Sequence, residues 1–348
     1  EPTIGPNSTT QADDHFKTVL YTGNGQTGLA ISSVGFQPDF VWLKNRTGTA
    51  YYHQIYDSTR GVTKALYTPV SNAEETVSGL TAFNSDGFTV GNSITVNNNN
   101  VSTVAWNWKA NGGTTVSVSE SGNNPANVRQ TNVTAGFSII TYTGTGAAGT
   151  IAHGLGVAPK AIITKKRNAS GNWASYFGTA DVTDPQTDAV YLDLTDARTD
   201  SADFWNDTAP TASVYSIQDA GDTNTNDHTY VSYVFAEIDG YSKISNYVGN
   251  GNANGPFVST GFRPAWVMIK RTDGANNWMM SDSARNTFNV VNNLLYANLA
   301  NAEYALVHLD FLSNGFKVRT SNASWNTNNG TYIYMAFAEA PFKYANAR

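Results

Sequence analysis

The chain has 348 residues, 40% of them hydrophobic and only 14% charged, with a formal net charge of −6 and no cysteine. The missing thiols exclude disulfides, thiolate nucleophiles and zinc–thiolate centres. An acidic chain whose 21 lysines and arginines are spread along its length offers no electrostatic footprint for nucleic acid, and no apolar run reaches the ~18 residues of a membrane-spanning helix.

That length fits two or three domains of ~100–200 residues. Asn, Thr, Ser and Gly fill the place that charges hold in most cytosolic enzymes, where ~25% is usual. Such a neutral polar surface suits extracellular or virion β-proteins. The chain opens on Glu1 rather than Met, as a processed product or a portion of a longer protein would.

Residues 1–15 are polar and read as a tail. The first repeated motif follows. Tyr21-Thr22-Gly23-Asn24-Gly25 returns as Tyr142-Thr143-Gly144-Thr145-Gly146 and as Tyr247-Val248-Gly249-Asn250-Gly251. A proline turn trails each copy, at Gly35 to Pro38, Gly156 to Pro159 and Gly261 to Pro264. Both markers shift by 121 residues and then by 105, so a whole domain is repeated rather than a solenoid turn of ~20–50 residues. The spacing predicts a first unit at 16–113, a linker or added hairpin at 114–135, a second unit at 136–243 and a third at 244–348.

Within each unit the signal is β. Phe40 to Leu43, Ala161 to Ile163 and Trp266 to Ile269 are short β-branched and aromatic runs after the proline turn, each followed by cations: Lys44 and Arg46, Lys165 to Arg167, Lys270 and Arg271. Closing strands are expected at Val101 to Trp108, Tyr230 to Glu237 and Tyr332 to Glu339. Their continuous apolar runs predict burial on both faces. Residues 293–304 are expected to hold one or two helical turns after an Asn cap; helix is otherwise sparse. The predicted fold class is all-β, three tandem related β-sandwich units of jelly-roll or lectin-like kind, with an immunoglobulin-like Greek key as the second choice.

Gly23-x-Gly25-x-x-Gly28 and Gly144-x-Gly146-x-x-Gly149 match the dinucleotide fingerprint in letters. The fingerprint needs a helix next, and here another strand is expected, so the glycines read as a turn. Asp57 with Arg60, and Asp282 with Arg285, are expected to be ion pairs that pin a loop. An acid beside a fixed cation becomes a weaker base, the wrong direction for acid–base catalysis. The second unit shows neither pair and carries an acidic loop instead, with Asp193, Asp196, Asp200, Asp203 and Asp207. Calcium is the one cofactor such a loop suggests, although the spacing is not that of an EF-hand. A carboxylate pair for glycoside cleavage in this stretch is a further alternative.

Five histidines are scattered without zinc spacing; His153, in a turn, is expected to bond backbone. Trp173, Tyr176, Trp205, Trp278 and Trp325 lie in Asn/Gly/Asp/Ser-rich segments. They are the candidate ligand-binding residues, because an apolar ring with a polar tip suits the faces and edges of sugars.

Several stretches together, Gly136 to Gly146, His153 to Lys160, Phe235 to Lys243, Gly261 to Trp266 and Tyr332 to Lys343, resemble a family of uncharacterised proteins abundant in tailed phages of marine bacteria. The resemblance covers nearly the whole chain from Phe16. It implies a virion component of tail-fibre-like or other exposed structural kind, facing the extracellular medium, with no catalytic or binding residues to carry over. The expected function is therefore host-surface adhesion without enzyme activity. The partners would be other virion proteins and a host glycan or protein, and the assembly a homotrimer. A purely structural decoration protein without ligand and a polysaccharide depolymerase are the alternatives.

Overall fold

Hydrogen bonding joins the two ends of each repeat. In this computed structural model, which describes residues 4–5 and 8–340, the opening strand Phe16–Thr22 pairs antiparallel with the closing strand Ser102–Trp108. Phe137–Thr143 pairs in the same way with Thr229–Phe235, and Ser242–Val248 with Thr331–Ala338. Each closing strand then takes the proline-led strand on its other side: Phe40–Asn45, Ala161–Lys166 and Pro264–Arg271. A fourth strand follows, Gln54–Asp57, Ala174–Phe177 and Met279–Asp282. The order opening, closing, proline-led, fourth is the same in all three segments.

The protein is all-β. Helix amounts to short turns; three of them, Ile94–Asn97, Gly221–Asn224 and Ala323–Asn326, each precede a closing strand by a few residues. The helical turns expected over 293–304 are absent. Val291–Tyr296 and Tyr304–Leu312 are strands there, because the pairing partners of Val291, Leu294 and Leu295 outweigh a local Asn cap. The stretch 114–135 is an added hairpin. Val116–Val118 and Asn127–Asn132 pair with each other, and the second of them pairs with the opening strand Phe137–Thr143.

The central strands are buried on both faces, as their unbroken apolar runs require. Every residue of Phe40–Asn45 and of Ala161–Lys166 is buried. In the first segment one face, with Val41 and Leu43, packs on Ile31, Leu80, Phe88 and Val90 of a second small sheet. In the second segment Ile140, Ile162 and Val234 pack on Ile151, Tyr215 and Ile217. The opposite faces meet in one core that runs through all three segments.

Three aromatic residues at matching positions of the closing strands, Trp108, Phe235 and Phe337, touch each other pairwise there. Their ring centroids lie 6.4 Å, 5.4 Å and 5.9 Å apart. The segments therefore do not stand in a row with separate interiors. They close around a shared aromatic centre, and most of that centre's burial depends on all three being folded.

Candidate functional site

The contacts between segments repeat in cyclic order. Lys44, Lys165 and Lys270 occupy one position of the proline-led strands, at the same offsets of 121 and 105 residues, and all three are fully buried. Each reaches a backbone carbonyl of the neighbouring segment. Lys44 Nζ donates to Ala300 O at 3.0 Å, Lys165 Nζ to Ser71 O at 3.0 Å and Lys270 Nζ to Thr195 O at 3.1 Å. So the first segment holds the third, the second holds the first and the third holds the second.

Two residues further on, the backbone repeats the pattern. Glu303 N donates to Arg46 O (2.8 Å), Glu74 N to Arg167 O (2.7 Å) and Arg198 N to Thr272 O (2.9 Å). The next loop does so again. The Trp173 indole donates to Tyr67 O at 2.9 Å and the Trp278 indole to Tyr191 O at 2.8 Å, while His53 takes this place in the first segment, its Nδ1 accepting from the Trp42 indole at 2.8 Å.

The acid–arginine pairs belong to these contacts. Asp57 accepts from the Arg60 amide and guanidinium and from Tyr233 OH of the second segment at 2.7 Å. Asp282 accepts from the Arg285 amide and guanidinium and from the Trp106 indole of the first segment at 3.0 Å. Each arginine also holds a glutamate, Glu74 at 2.7 Å and Glu303 at 2.8 Å. That glutamate is gripped across the boundary by Arg167 or Arg46 through two bonds. Burial opposes ionisation of Glu74 and Glu303, yet these arginines hold both below the usual carboxylate range.

The third boundary uses different chemistry at the same places. Strand register puts Phe177 where Asp57 and Asp282 stand, and Met335 where Trp106 and Tyr233 stand. An acid–donor pair is replaced by an apolar one. Beside it the charges exchange roles. Arg198 sits at the position of Glu74 and Glu303, and pairs with Asp181 at 3.0 Å; Asp181 in turn accepts from Thr272 OH of the third segment at 2.9 Å. The second segment thus keeps the contact with the signs reversed.

The five aromatic candidates are all interior. Trp173, Trp205, Trp278 and Trp325 are at most 1% exposed and Tyr176 is 4% exposed. Trp205 donates to Asp188 O at 3.0 Å and meets Tyr176 edge-on; Trp325 stacks on His308 with centroids 4.4 Å apart. None presents a ring face on which a sugar could stack. These loops are Asn- and Gly-rich because they must turn tightly around a plugging indole, and composition alone does not separate that use from a binding platform.

Of the acidic loop, Asp193 is buried. Its carboxylate accepts from the Trp173 amide at 2.9 Å, and burial pushes its pKa up to about 6. Among the described residues no group of three acids or imidazoles gathers as a metal site.

The repeated glycine turns hold the buried amides that the sequence did not single out. Asn97, Asn224 and Asn326 are fully buried. Each accepts from the residue after the turn's first glycine: Asn24 N at 2.8 Å, Thr145 N at 2.8 Å and Asn250 N at 2.6 Å. The tyrosine that opens each motif donates to the residue just before that asparagine, Val96 O, Thr223 O or Trp325 O. A Cβ on Gly23, Gly144 or Gly249 would overlap the carbonyl of the residue just after that asparagine, Asn98, Thr225 or Thr327. The glycine pattern is set by this close approach, and no helix follows Gly28 or Gly149 to receive a pyrophosphate. The signal was available in the sequence: each asparagine stands six residues before Thr103, Tyr230 or Tyr332 of its closing strand.

Burial lowers the pKa of His15, His53, His153 and His308, the last to about 4. His153 bonds backbone as expected of its turn, through the Leu155 amide and Thr211 O. Because these imidazoles bind protons less readily in the folded chain, stability is expected to fall as the pH drops from ~6.5 to ~4, with His308 alone contributing about 3 kcal/mol of loss. Urea unfolding at a series of pH values measures it.

The three lysines act in the same direction over a higher pH interval. Burial lowers each to about 8. The unfolded chain therefore holds more protons between pH 8 and ~10.5, and stability from these groups rises across that interval. Buried tyrosines such as Tyr142 and Tyr233 have raised pKa values and reverse the trend above pH ~10. A stability maximum on the alkaline side of neutrality is the expected outcome of the same titration.

Asp57, Arg60, Asp282, Arg285, Trp173 and Trp278 are spent on these cyclic contacts, and the class the fold defines is an all-β frame closed upon itself within one chain. The chain belongs to the family described as a domain of unknown function, DUF7483, which matches residues 11–341. No curated protein and no solved structure matches it.

Proposed function

We propose that this protein is an exposed structural component of a phage particle, fibre-like, that works by adhesion rather than by catalysis. The observation that carries the proposal is the cyclic set of lysine, arginine and indole contacts, which joins three segments of one strand order into a single body around a shared core. The similarity to proteins of marine tailed phages supplies the setting. Three linked sets of loops favour weak, multivalent contact, where linkage adds ~10²–10⁴ in avidity.

In this proposal a homotrimer is unnecessary, since the threefold set of contacts is made inside one chain. The buried indoles leave surface contact to exposed rings, of which Phe288, 81% exposed, and Tyr52, 43% exposed, are the first to test. Immunogold labelling of purified particles from the phage that encodes the chain should decorate the outer surface. Bare particles would refute the virion assignment. Host polysaccharide incubated with the protein should keep its chain length; shortened chains would refute the non-catalytic reading.

A further inference from the structure

The three opening strands carry the same backbone geometry but not the same neighbours. In the second segment Phe137–Thr143 lies between two strands, because Asn127–Asn132 covers its outer edge. In the third segment Ser242–Val248 is the last strand of its sheet. The bonds from Gly249 N to Gly330 O and from Ala338 N to Tyr241 O fix which residues face the closing strand. The odd-numbered ones do so. Ile244, Asn246 and Val248 therefore turn their amides and carbonyls outward, to no strand among the described residues. They correspond to Ile139, Thr141 and Thr143 of the covered strand.

Seven residues make a long edge by the standard of exposed strands, and this one has no proline, and no charge beyond Lys243, to blunt it. Val248 at its end is 52% exposed. Beside its start lies a hollow of about 340 Å³ lined by Val157, Lys160, Asp239, Ser242, Lys243 and Thr260. The chain itself shows what such an edge accepts: on the equivalent strand sits an antiparallel segment six residues long.

We propose that the edge Ser242–Val248 binds the same edge of a second copy of this chain, antiparallel about a twofold axis through Asn246. The sequence of the strand is complementary to itself in that register. Asn246 faces Asn246, and the exposed Val248 of each copy lies beside Ile244 of the other. Ser245 faces Tyr247. Lys243 falls opposite Gly249, so no charge meets its like, which would be destabilising between directly opposed residues. An isologous contact of this kind closes after two copies and leaves neither edge open. The pairing joins two eight-stranded sheets into one, and it is independent of where the protein acts.

Light scattering coupled to size-exclusion chromatography, run on the full chain over a concentration series, tests it. The expected mass climbs to twice the 37.4 kDa of the chain. Asn246→Pro removes an outward amide that the closing strand does not use, a position where an edge strand tolerates proline. It should leave the melting temperature near the wild-type value and hold the mass at that of one chain. Val248→Lys places a charge on the edge without touching the backbone and should do the same. A wild-type mass that stays at one chain, or that settles at three, overturns the proposal. So does a dimer that persists in both variants.

Discussion

Replacing Asp57 by leucine should cost about 3–5 kcal/mol of unfolding free energy, the loss expected when one partner of a buried ion pair is removed. Both side chains of the Asp57–Arg60 pair are fully buried. Without the carboxylate, the Arg60 guanidinium keeps Glu74 and the carbonyls of Ile55 and Lys64 but loses the acid that its Nε faces. The Tyr233 hydroxyl loses its acceptor on the first segment and keeps only a 3.3 Å contact from Arg60. The damage falls on the boundary between two segments as well as inside one. The urea midpoint should therefore shift as a single transition, monitored by far-UV circular dichroism and by tryptophan fluorescence. Coincident curves would show that the segments unfold together through their shared core. A first segment that melts alone, with the rest unchanged, would contradict the cyclic coupling.

Asn326→Ala should cost nearly as much, about 2–4 kcal/mol, because it deletes a fully buried amide that makes four hydrogen bonds at once. The Asn326 amide donates to Asn252 O at 2.6 Å and to Thr320 O and Asn250 Oδ1 at 2.9 Å, and its oxygen accepts from Asn250 N. Asn250 Oδ1 keeps the Asn252 amide at 3.0 Å, so the loss falls on the contacts that tie the 249–252 turn to the buried asparagine. Asn326→Asp keeps the acceptor and replaces the donors by a buried charge, so it should rescue little. Hydrogen exchange locates the effect. Amides of 249–252 and of the adjoining Ala323–Asn326 turn should lose protection first, while the aromatic centre around Trp108 holds until global unfolding. Uniform loss of protection would argue that the turn has no local role.

Much of the architecture could be read from spacing. The paired markers at offsets of 121 and 105 residues place the proline-led strands, and the buried lysines lie at those same offsets. Their two-sided burial follows from runs such as Phe40 to Leu43. What spacing could not provide is the way the segments meet. Nothing local marks Trp173 or Trp278 as indoles that donate to a neighbour's carbonyl, and in Asn-rich loops they look like binding platforms. The reversed pair Asp181–Arg198 escaped because its members exchange sign relative to Arg60–Glu74, so letter-by-letter alignment finds no match. The strands at Val291–Tyr296 were masked by an asparagine that imitates a helix cap, where tertiary pairing decided instead.

The apolar substitution of Phe177 and Met335 at one boundary carries a consequence for heredity. In an assembly of three identical subunits, one codon change strikes every joint simultaneously, and a half-made replacement is punished threefold. Here each joint is written by its own stretch of gene, so one can drift from charge to grease while the other two keep the body closed. Dilution, moreover, cannot separate parts that share a backbone.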